Sequence, residues 1–315
     1  MAARQRDRPG LTRLPLPDAP TVHLFDAHVY VFRAYHSMPA LEAPDGTPVG
    51  AVRGFTATLL EYLVETGATH VGVCFDHGLE SFRNEILPTY KSSRGLPPED
   101  LEPQFALCME VARALGLRVV VQERYEADDL IATLATGLAN AGADVVVVSS
   151  DKDLAQLVRE DGRILVHDLA RSTTLDAARV REKFGVSPEQ IPDFLALVGD
   201  PIDDLPGVPG IGARTAAAAL RAFGAIEEIP ADPARWAGLE VRGAARAAAA
   251  IEAHREQALR IRELATTERE VPGIRAHLSD LAWPGGDRAA VDALFERLGF
   301  GPTLRDRLPR WRAPA

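Results

Sequence analysis

Five short runs of the chain are almost continuously apolar and rich in β-branched residues: TVHLF (21–25), HVGVCF (70–75), RVVVQ (118–122), DVVVVSS (144–150) and RILVH (163–167). A strand with one wet face alternates apolar and polar residues, and a strand covered on both faces does not. The runs therefore predict buried strands of a mainly parallel sheet. Between them, helical periodicity marks residues 51–65, 99–116 and 126–142. Strand and helix alternate, so residues 21–175 are expected to form an α/β domain with a central sheet flanked by helices. After about residue 175 the strand pattern stops. DAARVREKFG, SPEQIPDFLALVG, ARTAAAALRAFG and the long Ala/Arg/Glu-rich stretch 243–265 all read as helix, giving a helical region over 176–305. Residues 1–20 carry basic residues and prolines without an apolar leader core and are expected to be a mobile tail, with a second tail over 306–315.

Acidic residues recur where these strands end. The first strand ends at Asp26 and the second at Asp76; the fourth runs into Asp151-Lys152-Asp153; the third leads to Glu126, Asp128 and Asp129 at the start of a helix. The carboxyl edge of an open α/β sheet is where ligands bind. A single aspartate after a strand is commonly a helix cap or turn residue. Four strand ends delivering acids to one edge is a different matter. Two like charges about 4 Å apart cost about 4 kcal/mol at an effective dielectric of 20. Divalent cations remove that cost, and hard oxygen ligands suit Mg²⁺ or Mn²⁺. Asp200 and Asp203, three residues apart in a turn after a helical pattern, can close the same site from the helical half.

Composition sharpens this. The formal net charge of -10 argues against a general nucleic-acid coat or an anionic-membrane binder, but leaves room for a local basic face. No apolar stretch reaches the length of a membrane span. The two cysteines, Cys74 and Cys108, sit in apolar and helical patterns and read as buried reduced thiols, which fits a cytoplasmic setting. No P-loop, serine-nucleophile elbow or CxxC pair is present, so nucleotide hydrolysis, serine chemistry and structural zinc lack support.

Four stretches, YEADDLIATLA (125–135), SSDKDLAQLV (149–158), LVGDPIDDLPGVPGIGARTA (197–216) and SFRNEILPTYKSSR (81–94), occur in an order and spacing that resemble the 5′-nuclease (flap endonuclease) family. The likeness is to the 5′→3′ exonuclease domain of bacterial DNA polymerase I in particular, and runs over about 21–300. It implies a PIN/5′-nuclease-like sheet and a helix–hairpin–helix (H2TH-like) element over about 197–223, with a helical arch over about 78–105. It also implies that Asp26, Asp76, Glu126, Asp128, Asp129, Asp151, Asp153, Asp200 and Asp203 bind two or more Mg²⁺, which Mn²⁺ can replace. Lys91 and Arg83 then face the scissile phosphate. Arg94 is a further basic DNA-binding position of the arch region, Arg33 contacts DNA near the 5′ strand, and Gly207, Gly210, Gly212, Arg214 and Thr215 hold the duplex backbone, with K⁺ at the hairpin. The glycines and the helix N-terminus there suit an anion on physical grounds as well.

Three positions depart from the family pattern: Ala27 stands for a glycine, Asp204 for an asparagine, and Pro209 for a lysine. Asp204 reads as an additional water-orienting acid or a helix cap. His28 and His36 read as hydrogen-bonding neighbours rather than ligands. The resemblance implies hydrolysis of DNA at 5′ ends or flaps during replication and repair, by a free-standing cytoplasmic monomer working with a separate DNA polymerase and ligase. The alternatives are a relative that binds branched DNA without cutting it, or a PIN-type ribonuclease.

Overall fold

The computed structural model describes residues 20 to 313. The tail expected over 1–20 lies, apart from Pro20, outside the described residues. Six strands form one sheet: β1 Thr21–Asp26, β2 His70–Cys74, β3 Arg118–Val120, β4 Asp144–Val148, β5 Ile164–Asp168 and β6 Thr173–Leu175. Their order is β3-β2-β1-β4-β5-β6, parallel throughout except for the antiparallel edge strand β6. The helices of the first half are α1 Ala27–Ser37, α2 Gly50–Thr66, α3 Phe82–Ile86, α4 Glu102–Ala114 and α5 Ala127–Asn140. Those of the second half are α6 Ala177–Phe184, α7 Ile191–Val198, α8 Ala213–Phe223, α9 Ala244–Ala253, α10 Arg255–Ala265, α11 Arg288–Arg297 and α12 Pro302–Arg305.

Both faces of the sheet are covered, which is why its strands read as unbroken apolar runs. From β1, Val22 and Leu24 enter a core shared with α5 and the helical half, including Leu130, Leu197 and Trp236. Phe25 enters the opposite core with Phe55 of α2, Leu115 just after α4 and Phe295 of α11. Consecutive β1 residues thus serve two cores, as the two-residue period of a strand requires.

Helix α1, absent from the sequence pattern, follows β1 without a loop. Three expectations need correction. The stretch 243–265 is two helices, broken at His254 (φ -118°, ψ 13°), whose Nδ1 lies 3.0 Å from the Ala250 carbonyl. The break lets Arg255 donate to the carbonyls of Ile226 and Ile229 while α10 packs on α7. Segment 78–105 is helical only at α3, a 3-10 turn over 92–94 and the start of α4; it lies down on the acidic edge rather than arching away from it. The region from 306 is docked over its described residues. Leu308 is buried, and Gly286 exchanges backbone hydrogen bonds with Arg310 and Arg312.

Candidate metal centre and nucleic-acid interface

Neighbouring strands β1 and β4 stand where the chain order reverses, and their carboxyl ends open a crevice. Asp26 ends β1. Ser149, directly after β4, donates to Asp26 Oδ2 at 2.7 Å and accepts from the Asp151 amide at 3.0 Å. Asp151 Oδ1 in turn accepts from the Asp153 amide at 2.8 Å. Asp76, beyond β2, caps the neighbouring helix: its Oδ1 accepts from Ala127 N at 2.6 Å, while its own amide donates to His28 Nδ1 at 3.2 Å. These contacts fix the carboxylates of Asp26, Asp76 and Asp151 along one edge of the sheet.

The resulting field is strong. Burial, with Asp76 and Asp151 adding to it, lifts the Asp26 carboxyl to about 7 despite the Ser149 hydroxyl. Burial together with Asp151, Asp200 and Asp203 lifts Asp153 to about 8. Asp128 and Asp151 are also raised, burial first and neighbouring carboxylates second. Carboxylate oxygens of Asp153, Asp200 and Asp203 lie within 4.8 Å of one another. Asp153 Oδ1 is buried without any hydrogen-bond partner. An acceptor in that state costs about 1–3 kcal/mol unless something binds it. A hard divalent cation satisfies the orphan oxygen and removes the repulsion, so the residues present fit the metal.

Cations face these acids. Lys91 Nζ lies 2.8 Å from Glu126 and 3.9 Å from Asp203, and Arg94 pairs with Asp203. Burial opposes ionisation of Glu126, but Lys91 and Arg83 outweigh it and hold its carboxyl below the usual range. Lys152 Nζ pairs with Asp200 at 2.8 Å. Tyr90 OH stands 3.3 Å from both Glu126 and Asp203, bridging two acids from opposite halves. Tyr90, Ser149 and Lys152 escaped the sequence reading; their one signal was adjacency to Lys91, Ser150-Asp151 and Asp153.

Two expected site residues are turned elsewhere. Arg83 is 2 % exposed and Asp129 is 0 % exposed. Nη1 and Nη2 of Arg83 grip the Asp129 carboxylate at 2.8 and 2.7 Å, and Nε and Nη2 reach the carbonyls of Leu264 and Thr266. Asp129 also accepts from the amides of Glu126 and Glu268. Its oxygens are thus fully used, and Arg83 has no face toward a phosphate. The pair ties α3 and α5 to the end of α10.

The segment after α7 carries Asp200 and Asp203 on a small closed ring, with amide–carbonyl bonds exchanged between Asp200 and Leu205. Gly207 lies so close to α7 that a Cβ there would stand 2.3 Å from the Val198 carbonyl oxygen. Its glycine is required by that packing, not by approach to a phosphate. Gly210 (φ +81°) turns the hairpin, and Gly212 precedes α8 without a side-chain cap. Arg214 is exposed and Thr215 half-buried in the first turn of α8. Pro209 is exposed and offers no donor. Arg33 and His36 are exposed on α1, and Arg33 is not among the residues lining the acidic cleft. Ala27 is buried as the first residue of α1, where a methyl group is accommodated.

Asp204 caps a turn of another segment rather than a helix of its own. It sits at φ 55° and accepts from the Ser93 amide at 2.7 Å, fastening the 88–94 segment to the Asp200 ring. Asparagine keeps both the acceptor and the tolerance of left-handed backbone. Asp204→Asn is therefore expected to change cleavage less than about threefold. Asp204→Ala should loosen residues 88–94, seen as faster amide exchange at Ser93.

Acids that call for a cation and cations that call for an anion are gathered in one crevice at the carboxyl edge of an α/β sheet. The family model for the 5′-3′ exonuclease N-terminal resolvase-like domain matches residues 21–185, and that for the 5′-3′ exonuclease C-terminal SAM fold matches 186–289. The chain belongs to the 5′-3′ exonuclease family, whose members hydrolyse DNA. It is 39 % identical over 282 residues to DNA polymerase I of Bacillus caldotenax, covering 88 % of this chain and 31 % of that one. It is 40 % identical over 295 residues to DNA polymerase I of Pseudomonas aeruginosa, covering 93 % and 32 %. The chain thus spans about a third of the length of these curated relatives. In fold it is similar to T5 5′-exonuclease with bound zinc (TM-score 0.64, 20 % identity, 91 % of this chain and 98 % of that one). It is also similar to the catalytic core of Rad2 in complex with DNA substrate (TM-score 0.61, 12 % identity, 91 % and 90 %).

Proposed function

We propose that this chain is a divalent-metal-dependent, structure-specific 5′-nuclease that cuts DNA phosphodiester bonds at 5′ ends and flaps. The observation that carries the reading is the unpartnered buried Asp153 Oδ1 within the group formed with Asp200 and Asp203. Asp26, Asp76, Asp128, Asp151, Asp153, Asp200 and Asp203 would hold the metal directly or through water. Bound there, divalent cations supply Lewis-acid polarisation of the phosphate and a water acidic enough to act at neutral pH. Lys91, whose proton is held firmly because Glu126 outweighs its burial, acts as a fixed positive charge rather than an acid. With Arg94 it neutralises phosphate oxygens as charge develops. Glu126 positions Lys91, and Tyr90 couples Glu126 to Asp203. Gly210, Gly212, Arg214 and Thr215 would grip the duplex backbone, positioning it without reading bases.

The all-oxygen donor set supports Mg²⁺ as the native ion, with Mn²⁺ as its substitute. K⁺ at the hairpin rests on the family likeness. Among the described residues no helix is long and apolar enough to cross a membrane. Cys74 and Cys108 are free and buried, in keeping with a cytoplasmic setting. Removing a 5′ flap leaves a nick or short gap, so a polymerase and a ligase are the activities that would follow it. Cleavage mapping on 5′-labelled flap, nicked and blunt duplexes, with Mg²⁺, Mn²⁺ or chelator, tests the proposal. Metal-dependent cuts near the flap junction are expected. Binding without cleavage under every metal, or cleavage confined to RNA flaps, would overturn it.

A further inference from the structure

The cleft at the acids has a volume of about 1020 Å³, and away from the carboxylates it is lined by Arg171, Arg179 and Lys183. A second groove of about 630 Å³ begins at Lys183 and runs along α8 past Arg214 and Arg221. Lys183 lines both, so the two grooves form one track from the acids to the hairpin. Helix α6 separates its cations by face. Arg181 pairs with Glu160 on one side, while Arg179 and Lys183 are exposed toward the track. Among the described residues no carboxylate stands within 4.0 Å of Arg179, Lys183, Arg214 or Arg221. Arg171 is paired with Asp168, and Glu182 and Glu240 also line the track. In a chain with 45 acids and 35 basic residues, these cations, of which Lys183 also lies 4.9 Å from the Phe184 ring, leave one groove with positive charge free to meet an anion.

We infer that Arg179 and Lys183 on α6, continued by Arg214 and Arg221 on α8, form a rail that carries one phosphate strand of duplex DNA between the carboxylate cleft and the hairpin. The inference rests on the nuclease reading above and adds to it a duplex contact contributed by α6. Arg179 and Lys183 are one helical turn apart, about 6 Å along the axis, a distance over which one strand presents two phosphates at about 3.4 Å rise each. Arg179 Nη1 donates to the Thr174 carbonyl and Arg221 Nη1 to the Gly185 carbonyl, which fix the guanidinium stems and leave other donors facing the track. Such contacts carry no sequence information and set register and orientation.

The test is DNA binding in chelator, across a salt series, with a fluorescent duplex bearing a 5′ flap. Each phosphate contact contributes about 0.9 to the slope of log K against log salt, so the double variant Arg179→Gln/Lys183→Gln should lower that slope by about 2. It should raise KM more than it lowers kcat in Mg²⁺. Arg181→Gln, on the paired face, should keep the wild-type slope. An unchanged slope in the double variant, or an equal loss in Arg181→Gln, overturns the rail while metal-dependent flap cutting by the wild type still stands. Failure of the wild type to cut is the separate result that removes the nuclease reading itself.

Discussion

Asp153→Asn is expected to abolish cleavage and, in metal-free buffer, to raise the melting temperature. Asp153 is lifted to about 8 by burial and by Asp151, Asp200 and Asp203, whereas an aspartate in the unfolded chain titrates near 3.8. Between those two values the folded state binds more protons than the unfolded one. Stability contributed by this group is therefore full below about pH 4 and is lost as pH rises toward 8. Shared with the neighbouring acids, the loss at neutral pH is about 2–4 kcal/mol. Asparagine keeps the shape and removes the charge, so the metal-free variant should melt several degrees higher at pH 7.5 and show a flatter pH dependence. The same substitution removes a ligand from the group formed with Asp200 and Asp203, and turnover should fall by at least about 10³-fold, about 4 kcal/mol in the barrier. Mg²⁺ should stabilise the wild type more than the variant. A variant that melts lower without metal, or that cuts at the wild-type rate, would remove Asp153 from the centre. Thermal melts with and without Mg²⁺, beside single-turnover cleavage, read both quantities.

Arg83→Met should damage the fold rather than the chemistry. Methionine fills much of the arginine volume but leaves the Asp129 carboxylate buried at 0 % exposure with half of its partners gone. Breaking a buried pair by removing one member costs about 3–5 kcal/mol. The urea midpoint should shift accordingly, and the carbonyls of Leu264 and Thr266 lose their donors as well. Arg83→Lys should recover only part of this, since one ammonium cannot reproduce the bidentate fork. A variant of wild-type stability with a lowered kcat would instead return Arg83 to the phosphate.

The strands, and the gathering of acids where they end, were legible because both follow from one-dimensional rules. Buried parallel strands are unbroken apolar runs, and ligands gather where such strands end. Arg83 and Asp129 were misplaced for a reason equally physical. Asp128 and Asp129 are adjacent on a helix, so one points about 100° away from the other. Their sequence does not say which of them meets the core. Only the position of α10, supplying the Leu264 and Thr266 carbonyls, settles it. The division of 243–265 was hidden likewise, because alanine, arginine and glutamate favour helix on either side of His254 and the break serves a tertiary contact. Gly207 looked like a phosphate-binding glycine because a tight backbone approach has the same signature whether the neighbour is an anion or the protein itself.

That approach has a mechanical consequence. Residues 199 to 207 close on themselves and on the end of α7, with Gly207 pressed against Val198 and Asp200 bonded to Leu205. Asp200 and Asp203 are therefore part of the same stiff piece of chain that begins the hairpin. A substrate held at the hairpin would have no slack along which to slide relative to those acids. The distance from grip to cut is then set by covalent geometry rather than by a flexible linker.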